Sequence, residues 1–404
     1  MTAPAAERIE VATTRWHARA SSISETVQQL ARIWGTAAEA EDASHANAGD
    51  DASASPSKIK GRMRTSVLTL VVIAQRPETA ERAMAIVNAL ASRHPSRAIV
   101  VSPGDPDGPT TFDAHIYAAC HLSPTSHAEV CTEEIFIKTG GELSQHLSTA
   151  IAPLLIHDLP VVLWWPDDPP FRSRHYHDLA EMADGLLVDS GSFRDDGRLG
   201  LRGMLDTMTA GNTVHDIGWA RLTLWRELLA SLFDHPLLIH ELPGVRHLRI
   251  DVAKPGTTMR IAKAACFAGW LAAQLGWTVS RPIQEAPHGD RLVAELRAGR
   301  RIIPVEFRPI QAGSGSNVPG TGSLMRVEME LVRGRAQTRA RVTRQADHLL
   351  ATADWNGAQV ARRAGTLEPF EETPFLAEAL DRTSGDRVFE MALGKAVELV
   401  GLSP

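Results

Sequence analysis

Adjacent carboxylates at Asp167 and Asp168, inside the stiff loop Pro166-Asp167-Asp168-Pro169-Pro170, are residue types that general acid–base chemistry uses. Neighbours along a loop do not supply the opposed geometry such a pair needs, and proline stiffens connectors with no chemistry involved. Downstream, His175, His177 and Asp178 are metal-ligating types, but two histidines on one short polar segment are ordinarily solvated, and no third ligand can be assigned. Arg172 and Arg174 offer two cations to an anion held beside the loop. Arg335, Arg339 and Arg341, with Gln337, fall on one face of an expected strand, either as a solvated sheet face or as a surface for an acidic partner. The glycine-rich run from Gly313 to Gly322 has amides for a phosphate, yet it lies between two strands rather than at a helix start, which is how an ordinary flexible loop also reads. A P-loop, a GxGxxG turn after a strand, GxSxG, HExxH and an EF-hand loop are all absent from the sequence.

These residues must be held by a chain of 404 residues, long enough for two domains plus connectors. Lys plus Arg number 42 against 48 Asp plus Glu, a net charge of -6 that makes no whole-chain case for nucleic acid. The N-terminus has no apolar core segment, and runs such as Val67 to Ala74 are too short to span a bilayer, so a cytoplasmic protein without a membrane partner is expected. Three cysteines, Cys120, Cys131 and Cys266, show neither CxxC nor metal-ligand spacing, and an odd count argues against a secreted disulfide framework. Cys120 and Cys131 fall where neighbouring strands could set them opposite each other, and reduced buried thiols are the expectation.

The acidic loop follows the most distinctive segment, LPVVLWWPDDPPF, Leu159 to Phe171. Five consecutive apolar residues from Val161 to Trp165, bracketed by Pro160 and Pro166, predict a short strand buried on both faces. Alternation then sends Trp164 and Trp165 to opposite sides, and the loop beyond sits where open α/β sheets place ligand or partner crevices. Before it, Val67 to Ala74, Pro77 to Ser92 and Ala98 to Val101 read as strand, helix, strand. Ala114 to Leu122 and Glu134 to Thr139 read as an antiparallel pair at the sheet edge, and Ser144 to His157 as a helix. After it come a helical segment from Asp178 to Ala183, a buried strand from Gly185 to Val188 and a long helix from Val214 to Phe233.

From Val245 onward the pattern changes. A strand over Val245 to Val252 and an apolar helix over Thr258 to Leu275 precede alternating strands at Arg291 to Arg297, Ile303 to Phe307, Ser323 to Val332, Arg335 to Arg344 and Asp347 to Ala353, with terminal helices within Thr373 to Leu402. The expected fold class is α/β: a doubly wound, mostly parallel sheet domain followed by a smaller α+β domain with an antiparallel sheet. The expected organisation is a helical arm over 1–35, containing a helix from Ser21 to Trp34, a flexible linker over 36–60, the α/β domain over 61–236 and the α+β domain over 242–404.

RTSVLTLVVIA (Arg64 to Ala74), LPVVLWWPDDPPF (Leu159 to Phe171) and DGLLVDSGSF (Asp184 to Phe193) resemble matching segments of the glucose-6-phosphate dehydrogenase assembly protein family, OpcA. The resemblance runs over most of the chain from Arg64. It implies a two-domain, non-catalytic partner that binds glucose-6-phosphate dehydrogenase and promotes its active oligomeric or high-affinity state, with no catalytic residues, cofactor or metal to carry over. Candidate partner-binding residues are Trp165, Asp167, Asp168, Phe171, Arg172 and Arg174 around the loop, and Arg335, Arg339 and Arg341 on the later strand. A reading from another class also stands: an enzyme or sensor that binds a sugar phosphate or nucleotide in the crevice after the Trp164-Trp165 strand, with Arg172 and Arg174 as anion ligands.

Overall fold

The computed structural model describes residues 14–32, 63–64, 66–91, 93–122, 129–254, 258–311, 322–367, 372–381 and 384–402. The expected 36–60 linker and nearly all of the glycine-rich run lie outside those residues. The chain divides into two units: one runs to Pro166 and resumes over Ser173–Leu186, the other comprises Asp167–Arg172 and Leu187–Pro404.

The first unit contains β1 (Thr14–Ala20), α1 (residues 23–32), β2 (Met63–Arg64), β3 (Leu68–Ile73), α2 (Pro77–Leu90), β4 (Ser96–Pro103), β5 (Thr111–Leu122), β6 (Glu129–Gly140), α3 (Leu147–Ile151), β7 (Val161–Trp165) and α4 (Arg174–Ala180). β8 (Gly185–Val188) carries the chain out of it. Across the sheet the order is β1-β5-β6-β4-β3-β7, with β2 beside β6. β7, β3, β4 and β6 are mutually parallel, whereas β5 and β1 run antiparallel. All six residues of β3 are buried, as a strand covered on both faces requires. α2 starts with Pro77 in its first turn after an extended Arg76, so the proline's missing N–H leaves no helical bond unmade.

Three expectations change here. The antiparallel pair β5–β6 does not form the sheet edge; the edge is β1, part of the expected helical arm, paired residue for residue from Thr14↔Cys120 to Ala20↔Ala114. The expected helix from Ser144 to His157 is broken into a 3-10 turn, α3 and a second 3-10 turn at Ala152–Leu154, where Pro153 can donate no helical bond. The helix placed at Asp178 to Ala183 begins earlier, at Arg174, because Ser173 accepts a hydrogen bond from the Tyr176 amide and caps it. Cys120 and Cys131 are register partners on β5 and β6, and α1 lies within the expected Ser21 to Trp34 helix.

The second unit contains α5 (Arg198–Thr209), β9 (Thr213–Asp216), α6 (Ile217–Ala220), α7 (Thr223–Leu232), β10 (Val245–Ala253), α8 (Ala262–Gln274), β11 (Thr278–Glu285), β12 (Leu292–Ala298), β13 (Arg301–Ile310), β14 (Leu324–Arg333), β15 (Ala336–Arg344), β16 (His348–Trp355), β17 (Ala358–Thr366), α9 (Glu372–Asp381) and α10 (Arg387–Leu399). The expected long helix from Val214 to Phe233 is instead β9, α6 and α7 in succession, because Asp216 accepts the Gly218 and Trp219 amides and starts a new helix there. The large sheet has the order β11-β12-β13-β10-β14-β15-β16-β17, antiparallel except for the β10–β13 pair. Alternate residues such as Leu248, Ile250, Val305, Phe307, Val327 and Met329 are buried on one face. α7 packs over β15 to β17, and α10 lies on α8 and β11. Gly269 permits the α8–α10 contact, since a methyl there would lie 2.3 Å from the Ala392 carbonyl oxygen.

Candidate functional site

The residues around the loop after β7 separate by burial. Trp165, expected at a partner surface, is fully buried beside the His175 and Tyr176 rings of α4, at centroid distances of 6.0 and 5.9 Å. Asp167 is buried as well. Asp168 is half-buried, and its carboxyl is held above the ordinary range by burial, partly opposed by the Arg194 amide that it accepts. Phe171 seats its ring against α5 where Gly203 has no side chain: a methyl there would lie 2.1 Å from the ring. It also meets Phe193 edge-on at 6.0 Å. Phe171 therefore anchors the loop to its own unit. The groups left outward are Arg172 and Arg174, both exposed, with Asp178 3.8 Å from Arg174.

His175 is pushed below its ordinary pKa, chiefly by burial, which favours a neutral ring. No cluster of three or more His, Cys, Asp or Glu side chains able to hold a metal occurs among the described residues.

The arginine row on the large sheet has a different character from the basic surface its spacing suggests. Arg335 lies in the turn before β15. Arg339 and Arg341 stand opposite Glu330 and Glu328 in the β14–β15 register. Arg341 donates to Glu328 at 2.6 Å, and Arg339 to Glu330 at 3.3 Å. The same face carries Arg249 on Asp251 at 2.7 Å and Arg308 on Glu306, so cations and carboxylates alternate across the strands. These ion pairs, cross-strand at Arg339 and Arg341 and within a single strand at Arg249 and Arg308, neutralise the face.

A second constellation, not anticipated from spacing, lies in the second unit. β8 leads into Asp189-Ser190-Gly191, β9 ends in Asp216, Arg221 follows α6, and Lys263 sits in the first turn of α8. Asp216 Oδ1 accepts the Ser190 and Gly218 amides at 2.8 Å each, and Oδ2 accepts the Trp219 amide at 3.0 Å. Asp189 Oδ1 accepts the Gly191 amide at 2.8 Å, and Oδ2 accepts from Arg221 Nη1 at 2.5 Å. Arg260 donates to the Gly191 carbonyl at 3.2 Å. One signal was available in the sequence: Lys263 is the single charged residue of AKAACFAGWLAAQ, an otherwise apolar helix.

Burial and the neighbouring Asp189 push the Asp216 carboxyl up to about 6, against the pull of the amides that it accepts. Between its ordinary value of 3.8 and about 6, the folded protein holds a proton that the unfolded chain has released. This contribution to stability therefore falls as pH rises through that window and stays low above it, by an upper bound of about 3 kcal/mol. The wild-type minus Asp216→Asn difference in urea-unfolding free energy should accordingly move against wild type between pH 4 and 7. A difference flat in pH would mean the carboxyl titrates normally.

Residues 87–202 match the family model for the N-terminal domain of a glucose-6-phosphate dehydrogenase subunit, and residues 212–393 match the model for its C-terminal domain. The chain belongs to the OpcA glucose-6-phosphate dehydrogenase assembly family. Two OpcA relatives carry the provisional name OxPP cycle protein OpcA. That of Synechococcus elongatus is 25% identical over 77% of this chain and 69% of its own length, and that of Nostoc punctiforme is 24% identical over 79% and 68%. Among solved structures, a levoglucosan dehydrogenase in complex with NADH and L-sorbose is similar at a TM-score of 0.46 and 10% identity, over 84% of this chain and 97% of that one. That likeness is too weak to bear on activity. The loop after β7 and the Asp189–Lys263 constellation thus both belong to an OpcA-family protein, and no helix among its described residues is long and apolar enough to cross a membrane.

Proposed function

We propose that this OpcA-family protein is a non-catalytic assembly factor and allosteric activator, which binds glucose-6-phosphate dehydrogenase in the cytoplasm and promotes its active state in the oxidative pentose phosphate pathway. The observation that carries the reading is the pair of family matches, one in each half of the chain and both described as parts of a glucose-6-phosphate dehydrogenase subunit. An activator of this kind works by binding one state of the enzyme more tightly than another, since equal affinity for both shifts nothing. Arg172 and Arg174 are the preferred contact residues. Both are exposed, and arginine is enriched at interface hot spots. Arg339 and Arg341 are the weaker candidates because their charges are committed to Glu328 and Glu330.

The protein alone should show no turnover. Mixed with the cognate dehydrogenase, it should raise activity at sub-saturating glucose 6-phosphate and form a complex that survives gel filtration. Arg172→Glu with Arg174→Glu should weaken that complex by about tenfold or more, mainly through slower association that depends on salt. Absence of both binding and kinetic effect in the wild-type protein would refute the reading. Full binding by the double variant would move the contact elsewhere.

A further inference from the structure

Lys263 is the single charged residue of α8, and the fold gives its side chain nothing to bond with. It lies in the first turn, where the helix dipole disfavours a cation, and it is only 9% exposed. Among the described residues its nitrogen donates no hydrogen bond and enters no ion pair, yet that nitrogen is not sealed off from solvent. Both nearby carboxylates are engaged elsewhere. Asp189 accepts the Gly191 amide through Oδ1 and Arg221 through Oδ2, and Asp216 accepts three backbone amides. A methyl placed on Gly191 would lie 3.2 Å from Lys263 Nζ, so the missing side chain there leaves the nitrogen its room.

Burial pulls the proton affinity of Lys263 below the ordinary lysine range, with Asp189 and Asp216 acting against that shift and Arg221 and Arg344 acting with it. A desolvated lysine of this kind is a nucleophile, because its neutral form carries the lone pair that an ammonium lacks. Lys263 also belongs to the wall of a cavity of about 320 Å³. Leu222, Trp225 and Leu324 make part of that wall apolar, and Thr223 and Ser323 add two hydroxyl-bearing residues. An apolar surround favours the neutral amine, and the space suits a small molecule.

We propose that Lys263 is a covalent binding site for a small aldehyde or ketone, which its side-chain nitrogen captures as an imine in this cavity. The lone pair adds to the carbonyl carbon, and one proton passes from nitrogen to the carbonyl oxygen. The resulting carbinolamine loses its hydroxyl together with the second N–H proton as water, which leaves a carbon–nitrogen double bond. Nothing is oxidised or reduced, and hydrolysis returns the free amine and the carbonyl compound. The adduct is stoichiometric, so it is a binding event rather than a turnover. It is independent of the dehydrogenase contact proposed above, and either can fail without the other.

Reductive trapping on the full chain tests the site, with propanal and glyceraldehyde as probes at pH 7 and sodium cyanoborohydride to reduce any imine to a stable secondary amine. Peptide mapping by mass spectrometry then reads the labelling rate at Lys263 against Lys58, Lys60, Lys138, Lys254 and Lys395. Lys263 should be labelled at least tenfold faster than any of these. The excess should shrink as pH rises toward about 10, where every lysine loses its proton, and vanish in urea, where Lys263 is no longer buried. With rates normalised to the other lysines, a preference for glyceraldehyde assigns a hydroxylated carbonyl compound to the site, and a preference for propanal an apolar one. Lys263→Met should abolish the fast adduct without lowering the unfolding midpoint, and the wild-type map decides alone if that variant does not fold. Labelling of Lys263 no faster than that of the other lysines at pH 7, or a preference that survives unfolding, overturns the proposal.

Discussion

Truncating Trp164 to alanine should destabilise the protein by about 3–5 kcal/mol, the usual cost of emptying a buried indole site. Trp164 is fully buried, next to Val72 in the β3–β7 register, on a strand of five residues that cannot rearrange without moving β3. Trp165, its neighbour on the opposite face, is equally buried, so neither layer has slack to fill the space. The Trp164 indole N–H meets no acceptor among the described residues. Trp164→Phe should for that reason cost much less than the alanine variant, since it deletes an unsatisfied donor along with part of the ring. Urea unfolding at unchanged m-value measures both. A loss below about 1 kcal/mol for the alanine variant would show that the strand is not held between two packed layers.

Removing the Glu133 charge by Glu133→Gln should cost a similar amount, about 3–5 kcal/mol, for an electrostatic reason. Arg97 and Glu133 are register partners on β4 and β6, both buried, and the guanidinium donates to the carboxylate and also to the Leu154 carbonyl at 2.7 Å. With glutamine in place, the guanidinium stays in the interior without this counter-charge. The double replacement Arg97→Met with Glu133→Leu should recover most of the loss, because an apolar pair of similar volume avoids both desolvation costs. A double-mutant cycle reads the coupling directly, and additive losses would mean the two groups do not depend on each other.

Runs buried on both faces were the most legible part of the fold. Val67 to Ala74 and Val161 to Trp165 have no alternation to misread, and their proline or polar borders locate β3 and β7 closely. The alternating strands of the large sheet were similarly plain. β1 was missed because TRWHARA is short, polar on alternate positions and surrounded by residues with little to bury, so only its pairing with β5 makes it a strand. The segment from Val214 to Phe233 misled because its last ten residues have helical spacing, while the start is decided by Asp216 capping a new turn.

The site residues were harder to read for a related reason. Alternation placed Trp164 and Trp165 on opposite faces, but the cover that α4 supplies to Trp165 is tertiary and leaves no mark in the loop's own sequence. The Asp189, Asp216, Arg221 and Lys263 constellation draws on four separate elements up to 74 positions apart in a 404-residue chain, so no local spacing encodes it.

β1 also bears on self-association. It closes the free edge of β5, with Arg19 bound to Asp113 through two hydrogen bonds of 2.8 and 3.1 Å and His17 stacked on Tyr117 at 4.8 Å. Arg19 and His17 are exposed on it, and exposed charge is how natural sheets discourage another strand from adding on. A chain trimmed to begin near residue 61, the boundary suggested by composition, would keep every central strand and lose this guard. The 12-residue β5 would then present its open backbone donors and acceptors to any passing strand, including the same strand of a second molecule.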